Sequence, residues 1–141
     1  MPKFVILDPQ VTINGVDLTS RVAHVEVQMN SDDVDVSTSG PGVHQHLGGL
    51  RNDAFIFTFL SDFDAAMVDA TLQPLVASPT GTTEFPIKVR HQSGTVSSTR
   101  PSYETTKGIL LNYSPIAGDV GARSETQVTM PSNEQILRHT T

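Results

Sequence analysis

The sequence predicts a single, mainly β domain with one helix, and three observations support this fold class. Val, Ile and Thr, whose branched side chains suit a pleated sheet better than a helix, make up 38 of the 141 residues. The 10 Gly and 9 Pro recur along the chain as turn signals. Apolar and polar residues alternate in several segments, as they do in half-buried strands. The length suits one core, so we expect one domain over residues 1–141, with a flexible tail from about residue 131.

Alternating polarity places the strands of the first half. Asn14-Gly15 is a dipeptide typical of two-residue hairpin turns, because both residues tolerate positive φ. Residues 16–20 are expected to return from that turn. The alternation over residues 25–29 predicts a strand with one polar face, and the alternation over residues 33–37 predicts another.

Residues 31–52 predict a long loop or a flexible hairpin. Gly and Pro are frequent after Ser37, and aliphatic residues are few up to Asn52. Because long connections in compact domains are usually functional or disordered, this segment is the first place to look for a role.

A central strand and the one predicted helix follow. The segment 54–60 (AFIFTFL) is apolar on both faces, which favours a strand that is covered on both sides. A helix is predicted over about residues 62–76, with Ser61 or Asp62 as its N-cap and Pro74 at its end. The apolar side of this helix would cover an open side of the sheet. The apolar residues at helical spacing are Phe63, Ala66, Met67, Val68, Ala70, Leu72 and Leu75.

The second half predicts three more strands, at residues 85–89, 109–113 and 124–130. Pro86 places the first of them at a sheet edge or at a strand start, since proline donates no backbone hydrogen bond. The intervening segments rich in Gly, Pro and Ser are predicted turns or loops, at residues 78–81, 92–102 and 114–121.

Composition and charge exclude several classes of function. Nine Lys and Arg against 15 Asp and Glu leave a net charge of −6, so the chain has no general basic footprint for nucleic acid. Without cysteine there is no disulfide, thiol catalysis or cysteine-ligated zinc. No apolar run approaches the roughly 20 residues of a membrane-spanning helix. The charged fraction of 17% is low, which suits a surface covered by copies of the same chain or one that is simply polar.

Groups that could carry chemistry have simpler structural explanations. His44 and His46 would bind a metal only if further ligands converged on them. Asp62 and Asp64 fit the start of a helix, where negative charge is favourable. The aspartates within 32–35 lack the Gly and distal Glu of an EF-hand loop. No phosphate-binding loop or nucleophile elbow occurs, so we expect no enzyme, no cofactor and no metal site.

Three segments together resemble the major tail proteins, or tail tube proteins, of long-tailed bacteriophages that infect actinobacteria. VTINGVDLTSRVAHVEVQ (residues 11–28) resembles their opening hairpin and long strand, and FTFLSDFDAAMVDATLQPLV (residues 57–76) resembles their strand-to-helix unit. The closing part, residues 100–130, resembles their last strands. It has the expected order of Tyr113, Pro115, Gly118 and Gly121.

The resemblance implies a β-sandwich or barrel of the tail-tube type with one flanking helix. It implies a structural virion protein that forms stacked six-fold rings, the conduit for genome ejection in a phage tail assembled in the host cytoplasm. The implied partners are copies of the chain, tape measure and tail terminator proteins, and DNA as passing, non-specific cargo, with no membrane.

Two sets of residues are then candidates for assembly roles. The first set is an inter-subunit loop whose members are Ser39, Gly40, Pro41, Gly42, Val43, His44, Leu47 and Leu50. The second set would face an acidic lumen that repels DNA phosphates, and its members are Glu26, Asp32, Asp33 and Asp35.

Two alternative functions stay open on the sequence. The chain could be a capsid decoration or head–tail joining protein, since both can be small and β-rich. It could also be a non-catalytic module that binds a carbohydrate or another ligand. The absence of Trp and the presence of only two Tyr count against a module that stacks sugars on aromatic rings.

Overall fold

The computed structural model describes residues 5–40, 42–64, 67–76 and 83–141, and this part of the chain is mainly β. It contains one short α-helix, α1 (Val68–Leu72), which continues into the 3-10 turn Gln73–Leu75, and a second 3-10 turn at Thr19–Arg21. Its strands are β1 (Gln10–Ile13), β2 (Val16–Asp17), β3 (Val22–Gln28), β4 (Ser31–Asp35), β5 (His46–Arg51), β6 (Ala54–Leu60), β7 (Phe85–Arg90), β8 (Ser102–Gly108), β9 (Glu125–Pro131) and β10 (Leu137–His139).

The strands form two larger sheets and one separate hairpin. The first sheet has the order β10-β8-β7-β1-β2, and the second has the order β3-β6-β9. Among the strands of the described residues, β4 and β5 pair only with each other. Every ladder between these strands is antiparallel, which allows one face of each sheet to be buried and the other to meet solvent.

The core is built around three phenylalanines of β6. Phe55, Phe57 and Phe59 alternate along the strand, so all three lie on one face and are fully buried. Their ring centroids are 6.0 Å apart for the first pair and 5.4 Å apart for the second. The other buried apolar residues packed into this core are Val11, Ile13, Leu18, Val68, Leu72, Leu75, Phe85, Ile87, Val89, Leu110, Val128, Met130 and Ile136.

The opening hairpin confirms the Asn-Gly signal. Asn14 has φ 50° and Gly15 has φ 81°, and Ile13 pairs directly with Val16 across the turn. The returning strand is shorter than the predicted 16–20, because Asp17 Oδ1 accepts a hydrogen bond from Thr19 N–H at 2.9 Å and the chain turns there.

The segment predicted as a loop or hairpin is a hairpin. Residues 31–51, which we call the hairpin arm, contain β4, β5 and the connection between them. All residues of both strands are exposed. A two-stranded ribbon of this kind is marginally stable in water by itself, which makes its surroundings important.

The predicted start of the helix is wrong. The helix begins at Val68, and its N-cap residue Met67 makes no side-chain capping hydrogen bond. Asp62 instead lies two residues after the end of β6, where its Oδ1 accepts from Asp64 N–H at 2.9 Å and its carboxylate pairs with the Arg21 guanidinium. Because these two bonds satisfy the carboxylate outside a helix, capping signals alone were misleading.

The predicted apolar stripe is correct only for its second half. Val68, Leu72 and Leu75 are buried against the core. Phe63 is 62% exposed and Ala70 is exposed, so neither packs inward. Ala66 and the predicted turn at 78–81 lie outside the described residues.

Strand β7 confirms the predicted strand at 85–89, but not an edge position. It lies between β1 and β8 in the five-stranded sheet. Pro86 is its second residue and coincides with a register shift between Phe85 and Ile87 in the ladder to β8. On the other side, the Pro86 carbonyl accepts from Asn14 N–H at 2.8 Å. A proline near the start of an inner strand is therefore tolerated at this irregularity.

Strand β8 was missed, and the strand predicted at 109–113 is wrong. The strand runs over Ser102–Gly108, where the buried positions are Ser102, Thr105 and Gly108, three residues apart. The register shift in the β7–β8 ladder breaks the two-residue period that sequence reasoning relies on. Strand β9, by contrast, confirms the strand predicted at 124–130.

The segment after Pro131 makes specific contacts. Ile136 is buried, and Leu137–His139 pairs with β8 as the edge strand β10. Glu134 Oε1 accepts from the Thr106 backbone N–H and hydroxyl, both at 2.7 Å. The flexibility expected of this tail in solution stays a prediction.

Candidate functional site

The hairpin arm has an apolar face. Val34 pairs with Leu47, so their side chains lie on the same side of the ribbon. The ladder continues beyond β4, since Val36 N–H donates to the Gln45 carbonyl at 2.9 Å. Val34 is 43% exposed and Leu47 is 61% exposed. Apolar side chains held on an exposed ribbon are typical of a contact surface rather than of a free hairpin.

The opposite face of the ribbon is acidic. Asp33 pairs with Gly48 and Asp35 with His46, so both carboxylates lie on the side away from Val34. His46 Nδ1 is 2.8 Å from Asp33 Oδ1, and His44 Nδ1 is 3.5 Å from Asp35 Oδ2. Hydrogen bonds from the Ser37 side chain and backbone lower the pKa of Asp35. Asp35 therefore keeps its negative charge at neutral pH.

The predicted inter-subunit loop occupies one element. Ser39, Gly40, Gly42, Val43 and His44 are exposed in the connection between the two strands, and Leu47 and Leu50 belong to β5. Pro41 lies outside the described residues. Contact of this element with another subunit stays a prediction.

The four acidic residues predicted for a lumen do not form one group. Glu26 lies on β3, in a different sheet from the three aspartates of β4. Its Oε1 accepts from Gln28 Nε2 at 3.1 Å. Asp32 shares the apolar side of β4 with Val34, whereas Asp33 and Asp35 lie on the other side.

The base of the hairpin arm is tied to the body by a buried carboxylate. Asp53, whose side chain is fully buried, accepts from Arg51, from Asn30 N–H at 3.1 Å and from Ile136 N–H at 2.8 Å. Asn52 N–H also donates to the Asn30 carbonyl at 2.7 Å. The arm therefore leaves the body from a well-defined base.

A groove of about 810 Å³ lies beside this base, and sequence reasoning missed it. Its lining combines residues of β3 with residues from the ends of β7 and β8, which belong to the opposite sheet. Since the groove depends on how the two sheets face each other, no local pattern could reveal it. The apolar residues that line it are Ile6, Val25, Val27, Met29, Val89, Pro101 and Tyr103.

The described ranges hold neither a candidate metal site nor a membrane-spanning helix. No group of three or more His, Asp or Glu side chains there is arranged to hold a metal ion. No helix among the described residues is long and apolar enough to cross a membrane.

Comparison of the sequence with known proteins finds no matching family model and no matching curated protein. The fold, however, is similar to solved structures over nearly the whole chain. A chain from the virion of a native gene transfer agent particle has a TM-score of 0.67 at 14% identity, covering 93% of this chain and 95% of that one. A chain from the tail of an empty gene transfer agent particle with C6 symmetry has a TM-score of 0.65 at 13% identity, covering 96% of each.

The fold is also similar to that of a chain from an extracellular contractile injection system. A chain from the PVC sheath–tube complex of an extracellular contractile injection system, in its extended state, has a TM-score of 0.71 at 8% identity. That match covers 99% of this chain and 93% of the other. The predicted fold class is therefore confirmed: the part of the chain that the structure describes is mainly β with one short helix, and its fold occurs in tail and sheath–tube assemblies.

Proposed function

We propose that this chain is a structural subunit of a phage-type tail tube and forms stacked six-fold rings. The observation that carries the proposal is the fold shared, over 96% of both chains, with a chain of a C6-symmetric tail. The sequence resemblance to phage tail tube proteins supports the same role independently. The role is structural and needs no catalytic residue.

In this proposal the hairpin arm makes contacts between subunits. The arm exposes Val34, Val43, Leu47 and Leu50, which would become buried on assembly. Contacts between different surfaces of identical chains close into rings or continue as filaments, depending on the rotation between neighbours. Tape measure and tail terminator proteins are the further partners, in a virion tail assembled in the host cytoplasm.

The acidic face of the arm, with Asp33 and Asp35, is proposed to face the lumen. Negative charge on the wall would repel the phosphates of DNA, so a passing duplex would not stick to the tube. Glu26 and Asp32 fit this role less well, because they lie on other surfaces.

The test is assembly of the purified chain at high concentration, followed by light scattering and negative-stain electron microscopy. We expect rings or hollow tubes with six-fold end views. Leu47→Asp combined with Leu50→Asp should abolish them, whereas Val120→Asp, which changes a fully exposed apolar residue elsewhere, should not. A chain that stays monomeric and does not add to growing tails would contradict the proposal and favour a decoration or ligand-binding role.

A further inference from the structure

We propose that the groove beside β3 receives the apolar face of the hairpin arm from a second copy of the chain. This inference rests on the proposed function and identifies the two surfaces that would meet. The groove and the arm are complementary in apolar character and in charge, and each can be tested separately.

The groove provides apolar walls that an incoming ribbon could cover. Val25, Val27 and Met29 come from β3, while Val89 and Tyr103 come from the opposite sheet. Met29 is 44% exposed, and Ile6 at the same groove is 50% exposed. Covering these side chains removes apolar surface from water, which is the main driving force for association.

Two arginines give the groove a positive rim. Arg90 donates to the Gly94 carbonyl, and Arg100 lies beside the Gln92 side chain, whose oxygen can accept from its guanidinium. Among the described residues, neither arginine has a carboxylate within 4.0 Å. The carboxylate that lines the groove, Glu26, bonds to Gln28 instead. The rim can therefore accept a carboxylate from outside the chain.

The hairpin arm supplies such a carboxylate on its apolar face. Asp32 lies on the same side of β4 as Val34, and Val34 faces Leu47 across the ladder. Within the described part of the chain, Asp32 makes no side-chain hydrogen bond or ion pair. The arm therefore presents one carboxylate among aliphatic side chains, and the groove presents two arginines next to apolar side chains. The two surfaces are complementary in both charge and apolar character.

The occupant must come from another copy, because the arm cannot reach its own groove without breaking its base. Met29 already lines the groove, and β4 begins only two residues later. Folding the arm back would disrupt the hydrogen bonds that Asn30 makes with Asp53 and Asn52. Docking into a second copy keeps these bonds and joins unlike surfaces, as ring or tube growth requires.

Disulfide cross-linking tests the contact directly, since the chain has no cysteine of its own. Leu47→Cys in one preparation and Thr99→Cys, at the groove, in another are mixed and oxidised gently. We expect mixed disulfide dimers on non-reducing gels. The control pairs Leu47→Cys with Val120→Cys and should give none. Dimers formed only between two Leu47→Cys chains would mean that two arms contact each other, and would overturn the proposal.

Charge reversal provides a second readout that does not depend on cysteine. Asp32→Lys and Arg100→Glu should each raise the protein concentration needed for assembly by about ten-fold, because each places like charges at the contact. The double variant should restore assembly. Asp119→Lys, a charge change in an exposed loop, is the control and should have no effect. Circular dichroism of each variant checks that it is folded.

The outcomes separate this inference from the proposed function. Tubes that form without the mixed cross-link and without charge rescue would overturn the docking and leave the tail-tube role intact. Mixed cross-links in dimers that never form rings would support the docking and contradict the tail-tube role. Neither cross-links nor assemblies would overturn both.

Discussion

Arg51 donates two hydrogen bonds to the buried carboxylate of Asp53. Arg51 Nη2 is 2.7 Å from Asp53 Oδ2, and Nε is 3.0 Å from Oδ1. Arg51 closes the hairpin arm, whereas Asp53 also accepts from the backbone of Ile136 near the chain end. One carboxylate thus joins the base of the arm to the C-terminal segment.

Replacing Asp53 with Asn should lower the free energy of unfolding by about 3–5 kcal/mol, the usual cost of breaking a buried charge pair. The amide nitrogen of Asn would face donors that now point at a carboxylate oxygen. Urea unfolding followed by circular dichroism measures the effect, and Asp119→Asn in an exposed loop is the matched control. Equal stability of the two variants would contradict the role assigned to Asp53.

Two Phe→Ala substitutions test the core and the corrected helix. Phe57→Ala should cost about 3–5 kcal/mol of unfolding free energy, because it leaves a cavity between the rings of Phe55 and Phe59. Phe63→Ala should change it by less than about 0.5 kcal/mol, since that ring is largely exposed. A large loss from Phe63→Ala in the isolated chain would mean that the ring belongs to the apolar stripe after all.

Gly108→Ala should destabilise the domain by about 1–3 kcal/mol through overpacking. An added Cβ would lie 2.4 Å from Ile87 Cδ1 and 3.2 Å from the Phe85 carbonyl oxygen. Ile87→Val removes that Cδ1, so the double variant should lose less stability than the sum of the single variants. Gly40→Ala, where the Cβ meets nothing within 4 Å, is the control. Strict additivity in the double variant would contradict the proposed clash.

Glu134 should make stability depend on pH. The Thr106 backbone N–H and hydroxyl lower the pKa of this carboxyl below 4.5 in the folded chain. A lowered folded pKa stabilises the fold above the unfolded value, and this contribution disappears as pH falls through the folded pKa. The stability difference between the natural chain and Glu134→Gln should therefore be largest at pH 7 and shrink as the pH falls below 4.5. Urea unfolding of both chains at several pH values from 7 downwards measures this difference. A difference that stays constant with pH would contradict the linkage.

The acidic face of the arm predicts the behaviour of DNA with assembled tubes. Tubes of the natural chain should not retain short duplex DNA, whereas Asp33→Lys combined with Asp35→Lys should make tubes co-sediment with it in a salt-dependent way. Glu125→Lys, on a different strand, is the control for charge alone. Equal DNA retention by control and variant tubes would contradict the lumen assignment.

Much of the fold was predictable from local patterns. The Asn14-Gly15 turn and the strands β7 and β9 follow from turn chemistry and a two-residue period. The apolar run 54–60 correctly predicted the strand β6, but only its phenylalanine face is fully buried and its other face is half-buried. These signals depend only on neighbours in the sequence. The candidate loop residues also fall in one hairpin, because the Gly-rich segment after Ser37 favours a turn there.

Other features needed the assembled sheets. Strand β8 was not predictable from a two-residue period, because the register shift near Phe85 leaves its buried residues three apart. The helix start was predicted too early, because Asp62 pairs with Arg21 instead of capping a helix. The groove could not be predicted either, since it forms only where β3 faces the opposite sheet.

By itself, then, the sequence determined the β class of the domain, because branched side chains, turn dipeptides and polarity periods act locally. Only the tertiary structure decided that residues 31–51 form an exposed ribbon with one apolar and one acidic face, anchored by Asp53 beside a groove. The physical reason is that strand register and sheet facing are set by contacts between residues far apart in the chain.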